Sequence, residues 1–242
     1  MRLAIISDIH GNYRALQSVL EDIDSIGVDD IISLGDNIGY GPEPEEVVQA
    51  LLERKIDSVM GNHELGLASD SAFQRLNPAP RHSLELTRQL MGKKSLQFSI
   101  SRPPFLVRHK ARFVHGCPPA SITAYLWNPT ETRLSRLFAG YSETICFFGH
   151  THNLSRFQMH DGRCLTEHAT LGRYELQSDC RYIINPGSVG QPRDTFNNKA
   201  KYGIWHMDKM FFEQRAVAYD VQRTVELLAE RKFPESNAIR LL

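Results

Sequence analysis

Leu3-Ala4-Ile5-Ile6-Ser7-Asp8-Ile9-His10-Gly11-Asn12 reads as an apolar, β-branched strand that stops at an acid, a spacer, a histidine and a glycine. On extended backbone alternate side chains share a side, so Asp8 and His10 can reach one point. A carboxylate and an imidazole converging at a strand end suit a transition-metal ion. Asn12 is the expected N-cap of a helix running to about Ile26, with Leu16, Val19, Leu20, Ile23 and Ile26 at three- and four-residue steps. Ile31-Ile32-Ser33-Leu34 then reads as a second buried strand, and it too ends in a glycine and an acid, Gly35-Asp36. Strand, helix, strand in this order predicts a right-handed parallel unit.

Further along, Gly39-Tyr40-Gly41-Pro42-Glu43-Pro44 is turn-rich. Glu45 to Arg54 follows as a helix with acids at its start and bases at its end, complementing the helix dipole. A third strand, Ile56 to Met60, leads into Gly61-Asn62-His63-Glu64. Residues 65–101 look less regular: a loop over Asn77-Pro78-Ala79-Pro80, then a helix from Arg81 to about Met91. This stretch reads as a helical insertion over the site. Residues 105–109 and 112–115 form a hairpin ending in His115-Gly116, and Thr130 to Gly140 a short helix. Ile145 to Phe148 is a buried strand ending in Gly149-His150-Thr151-His152. Asp161-Gly162 between residues 154–159 and 163–168 is a strong hairpin signal. Arg181 to Ile184 leads into a loop, Asn185-Pro186-Gly187-Ser188-Val189-Gly190. A last hairpin turns at Asp208-Lys209, Val221 to Arg231 is a helix, and the tail is expected on the surface. The expectation is α/β: a single domain over 1–242 with two packed sheets, the first half of the chain mostly parallel and the second mostly antiparallel.

Lysine plus arginine and aspartate plus glutamate each number 28 in 242 residues. That balance gives no support to a dedicated nucleic-acid surface. No apolar run approaches the roughly 20 residues that span a bilayer, so no membrane partner is expected. The N-terminal strand does not resemble a signal peptide, which points to the cytoplasm. Cys117, Cys146, Cys164 and Cys180 are widely spaced and read as reduced thiols, with Cys117 of interest only because it lies two residues past His115.

The strand-end residues form one set: Asp8, His10, Asp36, Asn62, His63, His115, His150 and His152, holding five of the ten histidines. Taken singly, a histidine on a strand is more often packed than ligating; taken together, the set points to metal. Oxygen and imidazole donors without cysteine suit manganese, iron, cobalt, nickel or zinc, and are poor for copper(I). The donors outnumber the places on one four-coordinate ion, whereas two ions sharing a bridging carboxylate would use them. Such ions, about 3.5–4 Å apart, clamp a phosphoryl group and supply hydroxide near neutral pH by lowering the pKa of a bridging water. His63, following a candidate donor at Asn62, need not bind metal and could protonate a leaving oxygen.

Asp8-Ile9-His10, Gly35-Asp36, Gly61-Asn62-His63-Glu64, His115-Gly116 and Gly149-His150-Thr151-His152, in this order, resemble the calcineurin-like metallophosphoesterase signature. Asn185-Pro186-Gly187-Ser188 with Gln191-Pro192-Arg193 resembles its small bacterial and archaeal phosphodiesterase branch. The resemblance covers residues 1 to about 220. It implies a four-layer αββα sandwich of two mixed sheets flanked by helices, and a binuclear centre of two divalent ions, manganese first and iron, zinc, nickel or cobalt as alternatives. Asp8, His10, Asp36 and His152 would hold one ion. Asp36 would bridge to a second held by Asn62, His115 and His150, with His63 as the catalytic histidine. The implied activity is hydrolysis of a small phosphate ester or nucleotide by a metal-bridged hydroxide.

Family protein phosphatases continue the second block as Gly-Asp-x-x-Asp-Arg-Gly. Here it reads Gly35-Asp36-Asn37-Ile38-Gly39-Tyr40-Gly41, without the arginine, which argues against a dedicated protein phosphatase. A dinucleoside polyphosphate hydrolase is a variant in which residues 65–101 supply a nucleoside pocket. A non-catalytic interaction scaffold is the remaining class. Arg193, Ser188 and Tyr40 are candidate substrate contacts, each with a bland alternative as surface cation, turn residue or loop plug. His82, His109, His160, His168 and His206 take structural readings, and Trp127 and Trp205 read as packing residues.

Overall fold

The computed structural model describes residues 1–194 and 197–242. β1 (Arg2–Ile6) leads to α1 (Tyr13–Ile26), where Asn12 accepts a hydrogen bond from the Ala15 amide at 3.1 Å. β2 (Asp30–Ser33) pairs parallel with β1, and after α2 (Pro44–Glu53) the two-residue β3 (Asp57–Ser58) pairs parallel with β2. Four helices follow: α3 (Asn62–Ala68), α4 (Asp70–Gln74), α5 (Pro78–Leu90) and α6 (Lys93–Ile100). β4 (Phe105–Arg108) and β5 (Ala111–Val114) make a hairpin, then α7 (Glu131–Ala139) and β6 (Ile145–Phe147). β7 (Leu154–His160), β8 (Arg163–Glu167), β9 (Gly172–Glu175) and β10 (Arg181–Pro186) come next. β11 (Ala200–His206), β12 (Phe211–Val217), α8 (Val221–Glu230) and α9 (Glu235–Ile239) complete the elements.

The strands form two six-stranded mixed sheets, ordered β3-β2-β1-β11-β12-β9 and β4-β5-β6-β10-β7-β8. β1 is buried on both faces, as a central strand between layers must be. Leu3 and Ile5 point between the sheets with Ile32 and Leu34, against Phe113, Phe147, Tyr182 and Ile184 of the other sheet. Ala4 and Ile6 point the other way, onto Leu16, Val19, Leu20 and Ile23 of α1 and Val47 and Leu51 of α2. On the far side, Cys146, Phe148 and Ile183 pack beneath Leu134 and Phe138 of α7. Helix, sheet, sheet, helix is the four-layer arrangement.

Several expectations change. Residues 65–101 are far more regular than their sequence suggests, and Pro78 opens α5 instead of lying in a loop, since a first-turn proline gives up no helical hydrogen bond. The third strand shrinks to Asp57–Ser58, because it is an edge strand and Met60 instead donates its amide to Pro103 O at 2.8 Å. The mostly parallel first half and mostly antiparallel second half are present, but the halves are not separate sheets: β10 lies parallel to β6, and β11 crosses back to pair antiparallel with β1. β10 runs through Asn185 and Pro186, where a loop was expected. β9, a short and largely exposed edge strand, had no sequence signal. The tail is not merely surface: Asn237 and Leu241 are buried, and Leu241 packs with Leu228 and Phe233. All four cysteines are free and buried. Among the described residues no helix is long and apolar enough to cross a membrane.

Candidate metal centre and active site

The candidate donors follow the C-terminal ends of five strands that run parallel within their sheets: Asp8 and His10 after β1, Asp36 after β2, Asn62 after β3, His115 after β5, and His150 and His152 after β6. Carboxyl edges of α/β sheets are where such sites form. Asp8 and His10 converge as expected, but not through the alternation of extended backbone. The strand stops at Ile6, and Asp8, His10, Asp36, His150 and His152 have φ of 52°, 51°, 49°, 67° and 60°. Left-handed backbone costs a non-glycine residue roughly 1–2 kcal/mol. These turns persist because others hold them: Asp8 N–H donates to Gly35 O at 3.1 Å, His10 N–H to Asp36 O at 2.9 Å, and Gly149 N–H to His115 O at 2.8 Å.

Each of four histidines has one ring nitrogen against a backbone carbonyl. His10 Nδ1 donates to Ile38 O (3.2 Å), His152 Nδ1 to Gln191 O (2.6 Å), His115 Nδ1 to Leu34 O (2.8 Å) and His150 Nε2 to Thr123 O (3.1 Å). A carbonyl only accepts, so in a neutral ring each contact assigns the tautomer and turns the opposite nitrogen inward as a lone pair. These inward nitrogens face one another: His10 Nε2 is 3.0 Å from His152 Nε2, and His115 Nε2 is 3.2 Å from His150 Nδ1. Two neutral rings would repel in this arrangement, and a metal ion between them, or a proton on His115 in the second pair, removes the conflict. The oxygens obey the same logic. Asp8 Oδ2 accepts from Ser7 Oγ (2.6 Å), the His150 amide is shared between Oδ2 (3.1 Å) and Oδ1 (3.2 Å), and Oδ1 lies 3.3 Å from His152 Nε2. Asp36 Oδ1 accepts from His63 N (2.8 Å), leaving Oδ2 between His10 Nε2 (3.7 Å) and His115 Nε2 (3.2 Å). Asn62 Oδ1 is 3.1 Å from His115 Nε2. The donors therefore fit metal, in clusters Asp8-His10-His152 and Asp36-His115-His150; His10, Asp36 and His63 also lie close enough to form one.

Protonation follows from this crowding. Burial drives His10 and His152 well below the usual imidazole range, and burial with the neighbouring His115 charge lowers His150 to about 3. His115 goes the other way: burial opposes its charge, but Asp36, Asp8 and Glu64 outweigh it and push the pKa up to about 9. Burial raises Asp8 to about 6, with His115 opposing. Asp36 is held well below the usual carboxylate range, since His115 and His63 overcome its burial.

His63 is buried, and its Nδ1 has no hydrogen-bond partner. Its ring lies 4.8 Å from His10 and 4.7 Å from the half-buried Tyr40, measured between centroids. Gly39, at φ +83°, makes room: a Cβ there would stand 2.1 Å from His63 Nδ1. Burial lowers the His63 pKa, and His115 and Arg193 lower it further against Asp36.

Glu64 is the residue to which the sequence reading gave no role. It is fully buried, and its carboxylate accepts from the amides of Asp36 (3.0 Å), Asn37 (2.8 Å) and Gly61 (2.9 Å), tying the β2 turn to the start of α3. The signal was available, because Gly61 and Glu64 have capping-box spacing. A Cβ at Gly61 would stand 2.1 Å from Asp36 Oδ1, so only glycine permits this approach. Burial, and then Asp36, raise Glu64 to about 7. Asn185 braces the last turn, donating Nδ2 to Gly149 O (2.8 Å) and Thr151 Oγ1 (3.0 Å).

Of the candidate substrate contacts, Ser188 is fully buried; its hydroxyl donates to Asp8 O at 2.8 Å and accepts from Gln191 N at 2.9 Å, so it braces the Asp8 turn. Arg193 is half-buried beside His152, whose carbonyl accepts its amide at 3.3 Å. Tyr40 lines a cleft of about 470 Å³ with Asn62, His63, Leu65, Leu76 and Tyr125. Tyr125 stacks on His150 at 3.8 Å and on Trp127 at 5.6 Å; Trp127 is 44% exposed, so it is no core residue.

An αββα sandwich with aspartate and histidine donors massed at the carboxyl edges of its sheets has the architecture of a metal-binding hydrolase. The chain belongs to the calcineurin-like phosphoesterase superfamily, whose domain model matches residues 1–210. It is 33% identical over 238 residues to the uncharacterized protein MJ0912 of Methanocaldococcus jannaschii, covering 96% of this chain and 94% of that one. The crystal structure of a metallophosphoesterase from Sphaerobacter thermophilus superposes with a TM-score of 0.83 at 34% identity, covering 100% of this chain and 98% of that one. A shorter stretch of 61 residues, 25% of this chain and 28% of the other, is 44% identical to serine/threonine-protein phosphatase 2 of Escherichia coli K12.

Proposed function

We propose that this chain is a two-metal phosphoesterase acting on small phosphate esters or nucleotides. One observation carries the reading: four histidines, each oriented by a backbone carbonyl, present their remaining ring nitrogens in two facing pairs. Asp8, His10 and His152 would hold one divalent ion, Asn62, His115 and His150 the other, with Asp36 Oδ2 between them. Ions held there lower the pKa of water and neutralise charge that builds on phosphoryl oxygens. Manganese, iron, zinc, nickel and cobalt all suit these donors, and manganese is the first to test.

The protein's own part is positioning and proton transfer. Glu64, Asn185 and Ser188 fix the turns that carry the donors, as outer hydrogen bonds commonly do around metals. His63 is the catalytic histidine. An unpartnered buried Nδ1 costs less as a lone pair than as a stranded N–H, which leaves the proton on Nε2. From there it donates to the leaving oxygen.

The cleft supports a nucleotide among the small esters, because Tyr40, Leu65, Leu76 and Tyr125 offer aromatic and apolar walls beside the donors. Tyr40 stands where the family's protein phosphatases have arginine, so phosphopeptides should compete poorly. The test is hydrolysis of bis(p-nitrophenyl) phosphate by protein loaded with each metal in turn, manganese first. Turnover that tracks bound metal is expected; inert protein with every one of these metals bound would overturn the reading.

A further inference from the structure

The end of the chain returns to the site. Asn237 of α9 donates Nδ2 to Tyr40 O at 2.8 Å and to Ser83 Oγ at 2.9 Å, clamping the loop that carries Tyr40 against α5. Three residues on, Arg240 places its guanidinium carbon 5.8 Å from the Tyr40 ring centroid and its Nη1 3.4 Å from Gln191 Oε1. Arg193 reaches the same oxygen from the other side, Nη2 to Oε1 at 3.0 Å. Two guanidinium groups thus share one neutral acceptor. Among the described residues neither has a carboxylate partner, and Arg193 Nε is buried without any hydrogen bond.

That is an unbalanced arrangement. Gathered like charges with an orphaned donor are stabilised by an anion, and planar guanidinium forks match phosphate oxygens. The pair is also tied to the candidate metal centre, since Gln191 O accepts from His152 Nδ1 at 2.6 Å and His152 O accepts from Arg193 N at 3.3 Å.

We propose that Arg193 and Arg240 form a subsite for a second phosphate of the substrate, one that is not cleaved. The preferred substrate is then an ester carrying at least two phosphates, of the nucleoside polyphosphate class, and α9 is part of the site. This rests on the phosphoesterase reading for its biological meaning, but the subsite can be measured without turnover.

Calorimetry of metal-free protein with inorganic tripolyphosphate reads the subsite directly. Arg193→Gln and Arg240→Gln should each weaken binding by about tenfold, the scale of one charge-assisted hydrogen bond. Arg240→Lys should recover part of that loss. Arg163→Gln, which removes an equal charge from the distant β8, should leave binding unchanged. In metal-loaded protein with metal in excess, ADP should compete with bis(p-nitrophenyl) phosphate better than AMP, and both Gln variants should shrink that advantage by a similar factor. If Arg240→Gln behaves as Arg163→Gln does, or AMP and ADP weaken in parallel, the subsite is overturned while the hydrolytic reading stands. Arginine-dependent tripolyphosphate binding by a protein that hydrolyses no ester supports the subsite and overturns the hydrolytic reading alone.

Discussion

The two candidate metal pockets differ in how they are walled. Asp8, His10 and His152 are each 2% exposed or less, closed in by Tyr40, His63 and the carbonyls of Ile38 and Gln191. Across Asp36, the other pocket opens: Asn62 is half-buried and lines the cleft, and His150 borders the same cleft beneath the exposed Tyr125. Their electrostatics differ as well. Both histidines of the closed pocket are forced neutral, whereas His115 in the open one is pushed up to about 9. Without metal, the open pocket therefore keeps a proton where the closed one keeps none. The closed pocket has the features of an anchor, and the open one those of the side from which substrate arrives.

Asp36 is the hinge of that comparison, so Asp36→Ala should erase it. Metal content should fall in both pockets and turnover to background, measured by elemental analysis beside the rate. His63→Ala should cost about 10²–10³-fold in kcat with both metals retained, because its side chain donates to neither pocket in the proposed arrangement. Equal metal loss in the two variants would move His63 into the metal set. Glu64→Gln should sharpen the contrast. Replacing one carboxylate oxygen by a donor leaves amides of Asp36, Asn37 and Gly61 competing for a single acceptor. We expect metal affinity to drop about 10–100-fold, and more for the open pocket than for the closed one.

The smallest effect is on pH dependence. Glu64 and His115 have folded pKa values raised to about 7 and about 9, so these two groups hold more protons in the folded, metal-free protein than in the unfolded chain. Their stabilising contribution is complete below the unfolded values and is lost as pH rises through the folded ones. The melting temperature of metal-free protein should therefore fall by a few degrees, on the order of 1–2 kcal/mol, between pH 7 and 9. Metal displaces the His115 proton, so manganese-loaded protein should show a flatter profile, and the stabilisation due to metal should grow with pH. A metal-free profile that is flat or rising across this window would remove the distinction between the pockets.

The donors were legible in the sequence because each sits beside an apolar strand and a glycine, and strand ends can be recognised locally. Which pocket each joins came from the family resemblance and not from the residues themselves, since it depends on left-handed φ at Asp8, His10, Asp36, His150 and His152, a choice made by bonds to other turns. The helices between Asn62 and Ile100 were half-seen for a related reason. Of the α5 positions, only Leu84 is an apolar residue fully buried, while Leu86 and Leu90 pack toward Leu228 and Phe233, residues far away in the sequence. Arg240 carried no local signal at all, because an arginine near a chain end becomes meaningful only once α9 is seen to dock beside Tyr40.

The pairing of β1 has a consequence for how the molecule is made. The strand that opens the chain is central in its sheet, with β2 on one side and β11, which begins at Ala200, on the other. During synthesis its second edge stays unsatisfied until most of the polypeptide has left the ribosome. Long-separated pairings of this kind slow folding and expose apolar edges in the interval. A nascent chain released early should therefore be vulnerable to edge-to-edge association, and a chaperone that shields Arg2–Ile6 would be acting on a strand made long before its partner β11.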